Sequence, residues 1–127
     1  MATRATIHIY DKQTHRNIIQ IYHHYDGYPE GLGEKLKQYL GNIDKNTNAY
    51  PGELHKHFNG VGCFAASLVA YLKDCPGNVY LEPTDDKHGD TEYHYTIYYK
   101  DQNNIRLAVE EVIQPYEKTM FERSREK

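Results

Sequence analysis

Hydrophobic and polar residues alternate through the first strands of the chain and only later take up helical spacing. From Arg4 to Tyr10, Ala5, Ile7 and Ile9 fall on one side, with Arg4, Thr6, His8 and Tyr10 on the other. That period of two predicts a half-buried strand. A polar turn over Asp11–Asn17 leads into a second strand, Ile18–Asp26. It puts Ile19, Ile21, His23 and Tyr25 on one face and Gln20, Tyr22, His24 and Asp26 on the other. The short polar connection predicts an antiparallel hairpin.

The period changes at Asp26-Gly27-Tyr28-Pro29-Glu30. Pro29 suits a first helical turn, Asp26 or a nearby carbonyl can cap it, and Glu30 favours the positive helix end. Leu32, Leu36, Tyr39, Leu40 and Ile43 then recur at helical spacing, and Gly41-Asn42 predicts a stop. Asp44–Asn59, with its Pro51-Gly52 turn, reads as a surface loop. A second helix is predicted over Gly60–Asp74, because Val61, Phe64, Ala65, Leu68, Val69 and Leu72 match one helical face. Cys75-Pro76-Gly77 ends it. Strands Asn78–Glu82, Tyr93–Lys100 and Ile105–Val112 follow, the first two joined by Pro83–Asp90 and the last two by a turn at Asp101–Asn104. The tail from Gln114 reads as a short helix or frayed chain. The order ββααβββ predicts one α+β domain over residues 1–127, a mostly antiparallel five-stranded sheet with two helices on one face.

Parity also defines the face that helices would leave open. It carries Arg4, Thr6, His8 and Tyr10 from the first strand, and Gln20, Tyr22 and His24 from the second. Tyr80 and Glu82 come from the third, Glu92, His94, Thr96 and Tyr98 from the fourth, and Arg106 and Glu110 from the fifth. A solvated antiparallel sheet accounts for Tyr and Thr as good strand formers. So many Tyr and His side chains on one face point instead to a contact surface, either a subunit interface or a ligand platform.

Composition sharpens this. Thirteen tyrosines accompany three phenylalanines and no tryptophan, and there are eight histidines. Tyrosine combines an apolar ring with a polar tip, which suits half-wet contact surfaces. With a net charge of −3 and a pI near 6.2, the chain does not have the charge of a protein that holds polymeric nucleic acid through phosphates. The longest apolar stretch, Val61–Leu72, is too short to span a bilayer, and no signal peptide is evident. Twelve residues of helix would hold Cys63 and Cys75 ~18 Å apart, so reduced thiols in a cytosol-like compartment are expected.

Several chemistries compete for these residues. His23-His24, His55-x-His57, His88 and His94 offer metal ligands, with Asp26, Asp90 or Glu92 as carboxylate partners. Adjacent strand residues face opposite ways, so His23 and His24 do not serve one site, and no HExxH or CxxC framework is present. Cys63 falls in the first turn of a helix, where the dipole favours a thiolate, although helical cysteines are more often small buried hydrophobes. His94-Tyr95-Thr96 matches an H-x-T pattern found twice in some phosphoesterases, but His8 is followed by Ile9-Tyr10 and supplies no second copy. Two glycine-flanked helix starts, at Asp26–Gly31 and Asn59–Gly62, present N–H groups that could meet an anion or simply be capped.

Thr3-Arg4-Ala5-Thr6, then Tyr22-His23-His24-Tyr25-Asp26-Gly27-Tyr28-Pro29 with Gly31, then His88-Gly89-Asp90-Thr91-Glu92-Tyr93-His94-Tyr95 are similar to motifs of a family of small bacterial and bacteriophage proteins. Its members begin TRAT, carry HxDGYPxG and have a later HGDxEYxY, and the Ala-rich helix at Phe64–Ala70 resembles theirs too. The resemblance brings no activity and no catalytic residues. It implies a cytoplasmic bacterial or phage-infected setting, where small proteins of this kind often act as inhibitors or sponges of host defence.

Together these readings predict a non-enzymatic, oligomeric binding protein that captures a small anionic, nucleotide-derived ligand, as a counter-defence sponge would. Tyr22, Tyr28 and Tyr98 would stack on the ligand, with Arg4, His24, His94 and Arg106 toward its charge. No catalytic residue, metal, cofactor, polymeric nucleic acid or membrane enters that expectation. One alternative is a hydrolase or lyase using His24 or His94 as acid/base, oriented by Asp26 or Glu92. Another is an inhibitor of a host protein acting through the same face.

Overall fold

A computed structural model describes residues 3–41, 58–86, 90–101 and 103–112. The strands are β1 (Ala5–Asp11), β2 (Arg16–His23), β3 (Val79–Glu82), β4 (Tyr93–Asp101) and β5 (Asn104–Glu111). The helices are α1 (Glu34–Gly41), entered through a wide π-type turn at Pro29–Gly33, and α2 (Gly60–Leu72). This is the expected α+β domain with one five-stranded sheet. The expected loop at Asp44–Asn59, except Phe58 and Asn59, lies outside the described residues, as do Ile43, the tail from Gln114, and His55, His57 and His88. Among the described residues no helix is long and apolar enough to cross a membrane.

The spatial order is β3-β2-β1-β4-β5. Three neighbouring pairs are antiparallel, and β1 pairs with β4 in parallel. Period-two side chains send Ala5, Ile7, Ile9, Ile21, Tyr95, Ile97 and Tyr99 into one face, where they meet Leu32, Leu36, Phe64 and Leu68 from the helix layer. Toward the sheet edges the burial fails, and Leu81 and Val109 are 59% and 49% exposed. His23 points inward as parity requires, whereas Tyr25 does not follow it. β2 ends at His23, and Asp26 at φ 57° turns the backbone, leaving Tyr25 exposed.

The hinge explains the DGYP sequence mechanically. Gly27 N–H donates to the Thr3 carbonyl at 2.9 Å, and Gly27 packs so closely that a Cβ there would stand 2.7 Å from the Ala5 Cβ. Buried Tyr95 donates its hydroxyl to the Gly27 carbonyl at 2.7 Å. The Asp26 carbonyl accepts from Leu32 N–H and the Tyr28 carbonyl from Gly31 N–H, so main-chain oxygens cap the turn and no side chain does. Pro29 occupies the first helical position, where its missing N–H costs nothing.

The β1–β2 connection is tighter than expected. Asp11 accepts from Gln13 N–H and the Thr14 hydroxyl, and His15 closes the turn at φ 59°. These donors hold the Asp11 carboxyl below its ordinary value, the Gln13 N–H contributing most. A bulge after Ile9 pairs Ile9 with Ile19 but Tyr10 with Asn17, which leaves Ile18 as the extra, exposed residue.

Candidate functional site

β3 is an edge strand beside β2, yet β4 lies beyond β1, so the chain from Glu82 to Tyr93 must pass two strands, ~14 Å at ordinary strand spacing. The described residues on either side of 87–89 lie against the helix-free face. The Asp86 carbonyl accepts from Gln20 Nε2 at 3.0 Å, Asp90 pairs with Arg4 at 3.6 Å, and Glu92 N–H donates to the Arg4 carbonyl. The face expected to be open throughout is therefore roofed over its upper half, and Thr6 and Gln20 are each only 1% exposed.

Under this roof the polar side chains are ordered by their partners. Gln20 Nε2 donates to Glu82 Oε1 at 2.9 Å as well as to the Asp86 carbonyl, so its Oε1 is the acceptor for His8 Nε2 at 2.7 Å. That assigns the His8 proton to Nε2 and leaves Nδ1 with a lone pair when the ring is neutral. His94 Nε2 lies 2.9 Å from Thr91 Oγ1. The parallel register sets Thr6 beside His94 and His8 beside Thr96, so histidines and threonines alternate on a two-by-two lattice, the two imidazole centroids 6.4 Å apart. Thr6 Oγ1 is buried without a hydrogen-bond partner, and Thr6 lines a pocket of about 490 Å³ with His8, Gln20, His94 and the acidic rim Asp85 and Asp86.

Below the roof the same face continues down β1. His8, Tyr10, Asn17, Thr96 and Tyr98 line a second open pocket of about 490 Å³. Tyr10 and Tyr98 are cross-strand partners in edge-to-face contact, centroids 5.8 Å apart, and Arg106 is the next partner along the row. These tyrosines also line a third pocket, about 420 Å³, with Lys12, His15 and Arg106. Among the described residues, three basic ones line it and no carboxylate does. The left-handed turn at His15 brings its Nδ1 within 3.3 Å of the Tyr10 hydroxyl.

A separate groove of about 900 Å³ lies toward the β3 edge and includes Arg4, Tyr22, His24, Asn78 and Tyr80. The Tyr22 hydroxyl is 2.7 Å from His24 Nδ1, and the Tyr22 and Tyr80 rings are 6.0 Å apart. Burial, then the Asp90 charge, raises the Tyr22 phenol above its ordinary value against the opposing pull of Arg4. Arg4 already faces Asp90, and Glu82 also lines the groove, which makes this end poorly suited to an anion.

The seven residues expected to share one site are thus distributed. Arg4, Tyr22 and His24 meet in the edge groove, His94 sits under the roof, and Tyr98 and Arg106 join at the basic end. Tyr28 stands apart at the hinge, its hydroxyl 3.3 Å from Asp26 Oδ1, and the Asp26 charge raises its phenol. Sequence reasoning passed over Lys12 and His15 as turn residues, and Thr6, His8, Tyr10 and Gln20 as general face residues. The available signal was that Lys12 continues the parity of Thr6, His8 and Tyr10. Among the described residues no three His, Cys, Asp or Glu side chains gather as a metal would need. Cys63, expected as a small buried hydrophobe, is exposed, as is Cys75.

Comparison with protein-family models, with curated proteins and with solved structures gave no match, so the functional reading rests on this chain's own residues.

Proposed function

We propose that this protein binds a small anionic, nucleotide-derived ligand at the lower end of its helix-free sheet face and does not transform it. The observation that carries this reading is the pocket of Lys12, His15 and Arg106 around the Tyr10–Tyr98 pair, lined among the described residues by three basic side chains and no acidic ones. Guanidinium and ammonium groups meet phosphate oxygens by charge-assisted hydrogen bonds, while tyrosine faces and edges accept a sugar or base. In the bacterial or phage-infected cytoplasm that the motif resemblance implies, such capture would serve counter-defence. A homo-oligomer fits this role.

Calorimetry with ADP and with inorganic pyrophosphate tests the reading directly. Both should bind, and Arg106→Ala or Lys12→Ala should weaken each about tenfold or more, since hydrogen bonds to charged groups are worth roughly 1.5–3 kcal/mol. Failure of both probes to bind at millimolar concentration would sink it. The His8–His94 pair favours a second reading, a hydrolase or lyase in which the two imidazoles act as base and acid. Chromatographic appearance of products from ADP or a cyclic nucleotide, lost in His94→Ala, would replace capture by turnover.

A further inference from the structure

The three pockets share residues in sequence. His8 belongs to the first and second, and Tyr10 and Tyr98 to the second and third. They form one trough along the alternate residues Thr6, His8, Tyr10 and Lys12 of the β1 side. Thr6 and the row of Tyr10, Tyr98 and Arg106 are four residues apart along the strand, ~13 Å, and Lys12 lies ~7 Å further.

The ends of this trough differ in charge and in hydrogen-bonding needs. The lower end presents Lys12, His15 and Arg106. The upper end has Asp85 and Asp86 at its rim, with the Glu82–Gln20 link beneath. It also holds the Thr6 hydroxyl, which burial denies to bulk water and which has no protein partner. Gln20 is fully used, so the groups left to meet a ligand include the Thr6 and Thr84 hydroxyls, the His8 Nδ1 lone pair and the acidic rim. Two carboxylates and an imidazole lone pair accept hydrogen bonds, and a hydroxyl both donates and accepts. Such a pocket repels a phosphate and suits a neutral ring that offers an N–H₂ group beside a ring nitrogen.

We infer that the Thr6 pocket is a specificity subsite for a nucleobase bearing an exocyclic amine, which fixes the ligand's direction in the trough, base at Thr6 and phosphates at Lys12 and Arg106. This deepens the capture reading and rests on it. The base amine donates toward His8 Nδ1 and the Asp86 side, and the Thr6 hydroxyl donates to the adjacent ring nitrogen. A base with a carbonyl in place of the amine sets an acceptor against acceptors, the mismatch that a hydrogen-bonding site rejects strongly. The ~13 Å span calls for at least a diphosphate between the base and the basic residues.

ADP and IDP separate this proposal from the capture reading, because they differ at the base and share the pyrophosphate. ADP should bind at least tenfold more tightly than IDP. Thr6→Val, which keeps the side-chain shape and removes the hydroxyl, should lower ADP affinity about tenfold, narrow the ADP–IDP gap, and leave inorganic pyrophosphate, held at Lys12 and Arg106, unchanged. Equal affinity for ADP and IDP, with pyrophosphate still bound, overturns the base subsite and leaves anion capture standing. An ADP–IDP gap that does not narrow in Thr6→Val, its folding verified by circular dichroism, also overturns it. No binding of any probe removes both readings together.

Discussion

Removing the Thr6 hydroxyl should make the ligand-free protein more stable. A hydroxyl withdrawn from water without a compensating hydrogen bond costs about 1–3 kcal/mol in proteins, and Thr6 Oγ1 is in that position at 1% residue exposure. Valine has nearly the same shape, keeps the β-branch that suits a central strand, and needs no partner. The whole penalty should therefore return as stability in Thr6→Val. At about 2.1 cal/mol/K per residue, 127 residues give an unfolding entropy of about 0.27 kcal/mol/K, so each kcal/mol moves Tm by about 4 °C. Scanning calorimetry without ligand should show Tm raised by about 4–11 °C. Thr6→Ser is the control, since it keeps the orphan hydroxyl and loses a buried methyl, and it should lower stability by about 1 kcal/mol. A Tm for Thr6→Val equal to or below that of the parent would show that the hydroxyl is already satisfied in solution. The trough would then have lost its one unmet need, and the subsite its strongest support.

Two further outcomes follow from the hinge and the core. Gly27→Ala should lower Tm by about 4–11 °C, an overpacking cost of about 1–3 kcal/mol, because its Cβ would stand 2.7 Å from the Ala5 Cβ and 2.8 Å from the Thr3 carbonyl; calorimetry checks this, and an unchanged Tm would mean that the hinge is loose. Burial, only partly opposed by the Tyr25 backbone, lowers the His23 imidazole from its ordinary 6.5. Between that lowered value and 6.5 the unfolded chain binds a proton that the folded one does not, so stability falls as pH drops through this window. Urea midpoints at pH 8 and pH 5.5 should therefore differ more in the parent than in His23→Leu, and an equal difference would remove His23 from the acid sensitivity.

The layers of the fold were legible because period-two and helical spacing report which side of an element meets the core. Ile7, Ile9, Ile21, Ile97, Phe64 and Leu68 are buried for that reason. Parity continues to the end of a strand but does not say where the strand ends, which is why Tyr25 shares the core-facing parity of Ile19, Ile21 and His23 and is nevertheless exposed. Parity also carries no information on strand order. Lateral neighbours are set by which hydrophobic faces can close together, and the β1–β4 parallel pairing is a long-range choice that no local pattern encodes.

That choice has the largest consequence for the site. Once β4 pairs with β1 rather than with β3, the connecting chain must cross β2 and β1, and the helices already occupy the other face. The crossing covers Thr6 and Gln20, two residues whose polarity suits an exposed position. Gln20 regains its hydrogen bonds from the crossing segment and its neighbours, through the Asp86 carbonyl, Glu82 and His8. Thr6 does not. The same crossing brings Asp85 and Asp86 to one end of the trough, while the β1–β2 turn brings Lys12 and His15 to the other. Each segment looks like ordinary polar loop in sequence. Their separation across a tyrosine-lined face gives the site its polarity, and that separation follows from strand order. A variant with Lys12 and Arg106 both changed to glutamate would erase it without touching the core, and should lose ADP binding at least a hundredfold with Tm nearly unchanged. Retained ADP affinity would place the anion elsewhere on the sheet.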